Sequence, residues 1–116
     1  MKAPLFSLKH IGINTADSAA AKELSARLCD IFGLTPGHEN DTHIFAGGLF
    51  EVMKHNNLGT YGHIALQTEN VEDAIVYFAQ KGIGICEETI RKDNNGTIVF
   101  AYLKLEIGGF AVHLTQ

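Results

Sequence analysis

The sequence predicts an α+β fold built from two copies of one strand–helix–three-strand unit. Three observations carry this: an internal repeat, a helical hydrophobic period in each copy, and three strand-like runs after each helix. Lys9-His10-Ile11-Gly12-Ile13-Asn14-Thr15-Ala16-Asp17 aligns with Gly62-His63-Ile64-Ala65-Leu66-Gln67-Thr68-Glu69-Asn70. His, Ile and Thr coincide, an aliphatic residue meets an aliphatic one, and an amide meets an amide.

Each repeat start reads as a strand and then gives way to a helix. In the first copy Ala21, Leu24, Leu28, Ile31 and Phe32 recur at helical spacing, and Gly33 follows as a stop signal. In the second, Val71, Ala74, Ile75, Phe78 and Ala79 do the same before Gly82. Asp17 and Asn70 are natural N-caps, because a short side-chain oxygen accepts from an otherwise unpaired helix N–H. Asp73 adds an acid to the second helix's first turn, where the dipole favours negative charge. The strand nearest Thr35 is expected to be short; Thr42 to Ala46 and Leu49 to Lys54 flank Gly47-Gly48. In the second copy the runs are Ile83 to Arg91, Thr97 to Glu106 and Phe110 to Thr115, broken by Asp93-Asn94-Asn95-Gly96 and Gly108-Gly109. Asn56-Asn57-Leu58-Gly59 reads as the linker between copies.

Strand alternation assigns the faces. Ile11 and Ile13 oppose His10, Gly12 and Asn14; Ile64 and Leu66 oppose His63, Ala65 and Gln67. Phe50 and Val52 oppose Leu49, Glu51 and Met53, and Val112 and Leu114 oppose Ala111, His113 and Thr115. In each case large aliphatics take the face that would pack on a helix, and one ligand-type side chain stands on the other. A lone strand histidine or glutamate is ordinarily a surface or satisfied core residue. Here His10 and His63 open the two copies, while Glu51 and His113 sit on the last strand of each. If the two sheets face one another, the four converge near a pseudo-twofold axis. Three imidazoles and one carboxylate suit a single divalent Zn, Ni, Co, Fe or Mn ion and are too nitrogen-rich for Ca or Mg. His38, His43 and His55 lack repeat partners and read as surface residues, with His55 on the Glu51 face at the rim.

Composition sets the outer bounds. The 116 residues are one domain's worth of chain, and 46% hydrophobic content supplies a core. A net charge of -4 without any Lys/Arg cluster argues against a nucleic-acid partner. No apolar run approaches the roughly 18 residues of a membrane span, and the N-terminus lacks the pattern of a signal peptide. Cys29 and Cys86 both lie in apolar stretches and are expected as buried free thiols in a reducing, cytoplasmic setting.

The quoted residues resemble the vicinal oxygen chelate superfamily, which includes glyoxalase I, extradiol dioxygenases, methylmalonyl-CoA epimerase, and fosfomycin and bleomycin resistance proteins. The similarity runs from Leu8 to Leu114. Its most specific part, Gly59-Thr60-Tyr61-Gly62-His63-Ile64-Ala65-Leu66 followed by Asn70 and a helix, resembles the third-ligand strand of bacterial glyoxalase I. Lys9 to Ile13, Phe50 to Met53 and Ala111 to Leu114 resemble the family's opening, second-ligand and last strands. The resemblance implies two tandem βαβββ modules, residues 1–57 and 58–116, forming a curved mixed β-sheet cleft flanked by helices in one domain. It implies His10, Glu51, His63 and His113 as metal ligands. The family's fourth position is usually Glu, and here it is His113. The Asp-Pro-Asp-Gly turn common before the last strand is replaced by Glu106-Ile107-Gly108-Gly109. For glutathione carboxylates only Arg27 and Arg91 are at hand. Small two-module chains of this superfamily usually form homodimers.

The function expected on these grounds is a metal-dependent, glyoxalase-like lyase or isomerase. Its substrate would be a small α-keto or α-hydroxy compound held by two vicinal oxygens, with Glu51 or His113 carrying the proton. Two other readings stand beside it. One is a non-catalytic small-molecule-binding or resistance-type module, disfavoured in its bleomycin form by the absence of Trp. The other is an interaction domain with a vestigial metal site, including an accessory domain of a sugar-acid aldolase.

Overall fold

The computed structural model describes residues 2–116. Ten elements follow in the order β1 (Ser7–Ile13), α1 (Ser18–Phe32), β2 (Pro36–Glu39), β3 (His43–Ala46), β4 (Phe50–Met53), β5 (Gly62–Gln67), α2 (Val71–Gln80), β6 (Ile85–Lys92), β7 (Ile98–Ile107) and β8 (Phe110–Thr115). This is a βαβββ unit twice over. The strand near Thr35 is indeed short, four residues. Asp17 caps α1 by accepting from the Ala20 N–H, and Asn70 caps α2 by accepting from the Asp73 N–H. Gly33 ends α1 in the left-handed conformation at φ 66°, which favours glycine. Gly108 and Gly109 both have positive φ, as a two-residue turn between antiparallel strands requires.

All eight strands join in one sheet of order β2-β3-β4-β1-β5-β8-β7-β6. The order is symmetric about its centre, where β1 and β5 run antiparallel; β1 pairs β4 and β5 pairs β8 in parallel. The modules therefore meet edge to edge at their first strands and are not two separate facing sheets. Residues of β3 and β4 on one side and β6 and β7 on the other line a single cleft, so the sheet curls around it. Asn14 ties the end of β1 to the linker, donating to the carbonyls of Asn57 and Gly59.

The helices cover the opposite face in two separate cores. Val71 and Ala74 of α2 pack with Leu103, Val112 and Leu114, flanked by Ile64, Leu66 and Phe78. Ala21 of α1 packs with Ile44 and Val52, flanked by Leu24, Leu28 and Phe50. On β4, β5 and β8 the aliphatic faces read from alternation are thus the helix-facing ones. Ile31 and Phe32 differ from expectation: they are 58% and 63% exposed. Cys29 and Cys86 are free but only half-buried, which corrects the fully buried reading. Among the described residues, no helix is long and apolar enough to cross a membrane.

Candidate metal centre

The four side chains singled out by the repeat lie on the four central strands: Glu51 on β4, His10 on β1, His63 on β5 and His113 on β8. Register explains how they meet. Gly12 stands between Glu51 and His63 in one cross-strand row, and Ala65 stands between His10 and His113 in the next. Gly12 and Ala65 are repeat equivalents. Their small side chains leave room for four larger ones in a checkerboard at the pseudo-twofold axis. A Cβ on Gly12 would lie 2.0 Å from the His63 ring, so His63 packs directly on the glycine backbone.

Within one chain, His63 Nε2 is 2.9 Å from Glu51 Oε1 and 3.3 Å from His10 Nε2, and His10 Nε2 is 3.5 Å from Glu51 Oε1. One ring nitrogen each from His10, His63 and His113 falls within 4.8 Å of the others. Ligand atoms about 2.1 Å from a common centre stand about 3.0 to 3.4 Å apart for right-angled to tetrahedral arrangements. The observed edges match that spacing. His63 Nδ1 and His113 Nδ1 are buried with no hydrogen-bond partner, so the protein itself does not satisfy this polar cluster. The geometry and the nitrogen-rich donor set fit a borderline transition-metal ion.

Glu51 and His113 are held in the protonation states that metal ligands need. Burial alone would raise the Glu51 carboxyl, but hydrogen bonds from His10 and His63 and their charge outweigh it and hold the group well below the usual carboxylate range. His113 is pushed down to about 3 by burial and by the neighbouring His63 and His10, so its imidazole is neutral at pH 7. Tyr102, packed on the His113 ring at 5.0 Å between centroids, is pushed up to about 12 by burial and the Glu51 charge.

His43 corrects the surface reading of the sequence. Its Nδ1 lies 3.0 Å from Glu51 Oε2, and its side chain is only 15% exposed. An ionised carboxylate can only accept, so His43 Nδ1 is the donor and Nε2 of the neutral ring accepts from His38 Nδ1 at 3.1 Å. Burial lowers His43, against the pull of Glu51, which keeps the ring neutral. One signal could have found it: the Gly47-Gly48 turn sets Phe45 opposite Glu51, which places His43 diagonally on the same face. His38 is exposed, and His55 lies at the cleft rim. The cleft above the cluster has a volume of about 760 Å³, within the ordinary range for a small-molecule site.

No protein-family model and no curated protein matches the sequence. Solved structures do. A methylmalonyl-CoA epimerase from Mycobacterium tuberculosis is 15% identical with a TM-score of 0.66, covering 99% of this chain and 91% of that one. A hypothetical protein from Bacillus halodurans C-125 is 16% identical with a TM-score of 0.65, over 95% and 93% of the two chains. A variant of the Streptomyces coelicolor methylmalonyl-CoA epimerase, in complex with 2-nitronate-propionyl-CoA, is 14% identical with a TM-score of 0.62, over 98% and 96%. At such identities the likeness is one of fold: the βαβββ fold of the vicinal oxygen chelate superfamily.

Proposed function

We propose that this protein is a metal-dependent isomerase or lyase of the vicinal oxygen chelate type, acting at a carbon–hydrogen bond beside a carbonyl or carboxylate of a small oxygenated substrate. The observation that carries this is the approach of His10 Nε2, His63 Nε2 and Glu51 Oε1 to within 2.9–3.5 Å of one another, with His113 beside them, on the floor of an open cleft. His10, Glu51, His63 and His113 would hold one divalent Zn, Ni, Co, Fe or Mn ion. When bound, the ion supplies Lewis acidity that makes a proton next to an oxygen-bearing carbon easier to remove.

The chain's own residues supply the rest. Glu51 and His113 are the groups placed to move a proton. Glu51 has both oxygens engaged, Oε1 by His63 and His10 and Oε2 by His43. His113 is neutral at pH 7 and lines the cleft beside the cluster. Phe100 and Tyr102 flank His113 and form an aromatic wall on that side of the cleft. Two of the similar structures hold methylmalonyl-CoA and 2-nitronate-propionyl-CoA, molecules with paired oxygens next to the reacting carbon. Substrates of that oxygen pattern, from α-keto and α-hydroxy acids to 2-carboxyacyl thioesters, form the class to screen.

The test couples metal content with proton exchange. Elemental analysis of untagged protein purified without chelators should give about one equivalent of a transition metal, absent from a His10→Ala/His63→Ala variant. NMR in deuterated water should then show exchange at the substrate α-carbon, abolished by His113→Ala. Metal without exchange across the whole panel would leave a binding module. Failure to bind metal even after reconstitution would remove the enzyme reading.

A further inference from the structure

Strand β6 is irregular where it borders the cleft. Glu87, Glu88, Thr89 and Ile90 stand opposite Ala101 alone, and the register shifts again between Arg91 and Lys92. Bulges of this kind bend a strand, re-aim its side chains and gather beside functional sites. Thr89 holds this one in shape: its hydroxyl donates to the Cys86 carbonyl at 2.6 Å and accepts from the Tyr102 N–H at 2.9 Å. A side chain thus replaces ladder bonds that the bulge removes.

Arg91 follows the bulge directly and pairs in register with Phe100. Its guanidinium lies 4.5 Å from the Phe100 ring centroid, and that ring lies 4.5 Å from the His113 ring centroid. Arg91, Phe100 and His113 therefore form a chain of close contacts from the cleft rim to the histidine–glutamate cluster. Among the described residues Arg91 forms no ion pair, although Glu88 shares the cleft lining with it. Lys9, on the β1 bulge, adds a second cation to the same lining. A guanidinium resting on an aromatic face keeps its forked N–H edge available for a planar oxyanion, and stacking reduces the conformational freedom lost on binding.

We propose that Arg91 anchors a second anionic group of the substrate, a carboxylate or phosphate remote from the oxygens held at the histidine–glutamate cluster. This assignment rests on the reading of the cluster given above, and it narrows the substrate class to compounds with an oxygen-chelating end and a distal anion. The bulge aims the arginine, Phe100 supports it, and the length of that chain of contacts sets the separation between the two ends of the ligand.

Calorimetry on the 116-residue protein reconstituted with Ni²⁺ tests it using two matched pairs. 2-Oxoglutarate and 2-oxopentanoate share a 2-oxo-acid end and differ by a distal carboxylate; 3-phosphohydroxypyruvate and hydroxypyruvate differ by a phosphate. The anionic member of at least one pair should bind on the order of tenfold more tightly, and which pair responds identifies the group. Arg91→Gln should bring the two affinities together, while Arg91→Lys should keep part of the preference because the charge remains and the fork is lost. Binding of 2-oxopentanoate and hydroxypyruvate with no preference in either pair, or a preference that survives in Arg91→Gln, removes the anchor and leaves the cluster reading intact. No binding of any of the four overturns both.

Discussion

Replacing Gly12 with alanine should disrupt the proposed metal site while leaving the fold in place. The backbone of Gly12 lies outside the left-handed region, so an alanine can adopt it without strain. In a strand interior alanine is otherwise favoured over glycine by roughly 0.5–1 kcal/mol. The penalty is therefore steric and local. The new Cβ would stand 2.0 Å from His63 Cε1, 2.1 Å from Nδ1 and 2.5 Å from Nε2, where ordinary carbon contacts need about 3.5 Å. The ring must retreat by about 1.5 Å, yet His63 is 2% exposed and hemmed in by Tyr102 and His113. Overpacking of this sort costs about 1–3 kcal/mol. Metal sites tolerate errors of about 0.2 Å in ligand distance, so a displaced His63 should lower metal affinity by about 100-fold or more. The assay is chelator competition for Zn²⁺ alongside thermal unfolding of the metal-free proteins. Gly84→Ala is the control, since a Cβ there meets nothing within 4 Å. A folded Gly12→Ala protein with wild-type metal affinity would refute the checkerboard.

Further predictions follow from the same contacts. His43→Ala should weaken metal binding by about 10–100-fold, as loss of an orienting partner does, with little change in the stability of the metal-free protein; chelator competition measures the first and denaturant unfolding the second. Metal at 100 times its dissociation constant should stabilise the wild type by about 2.7 kcal/mol, a Tm rise of about 10 °C, and leave the His10→Ala/His63→Ala variant unmoved in scanning calorimetry. Leu114→Ala removes a fully buried side chain beside His113 and should cost about 2–5 kcal/mol in urea unfolding. Tyr102, whose folded pKa is raised to about 12 by burial, contributes stability that is fully present below about pH 10 and is lost as pH rises through 12. Alkaline unfolding of the metal-free protein should therefore show wild type losing stability relative to Tyr102→Phe across that window.

What the sequence determined by itself was periodic or repeated. Helix α1 was legible from Asp17, its apolar spacing and Gly33, and the helix-facing sides of β4, β5 and β8 from simple alternation. His10, Glu51, His63 and His113 could be placed on one face because alternation and the repeat are properties of neighbouring residues. Ile31 and Phe32 show the limit of that logic: their spacing was helical, yet both are exposed. Tertiary structure decided what depends on which strands lie side by side. Only the antiparallel meeting of β1 and β5 puts His10 and His63 within 3.3 Å, and only the interstrand registers place Gly12 and Ala65 as the gaps between larger side chains. His43 was missed because its partner is an oxygen on another strand and no second copy marks it. Arg91 was named only as one of two arginines, because its aim depends on a bulge that forms against β7. A local pattern fixes which way a side chain points, and strand pairing between distant residues fixes what it points at.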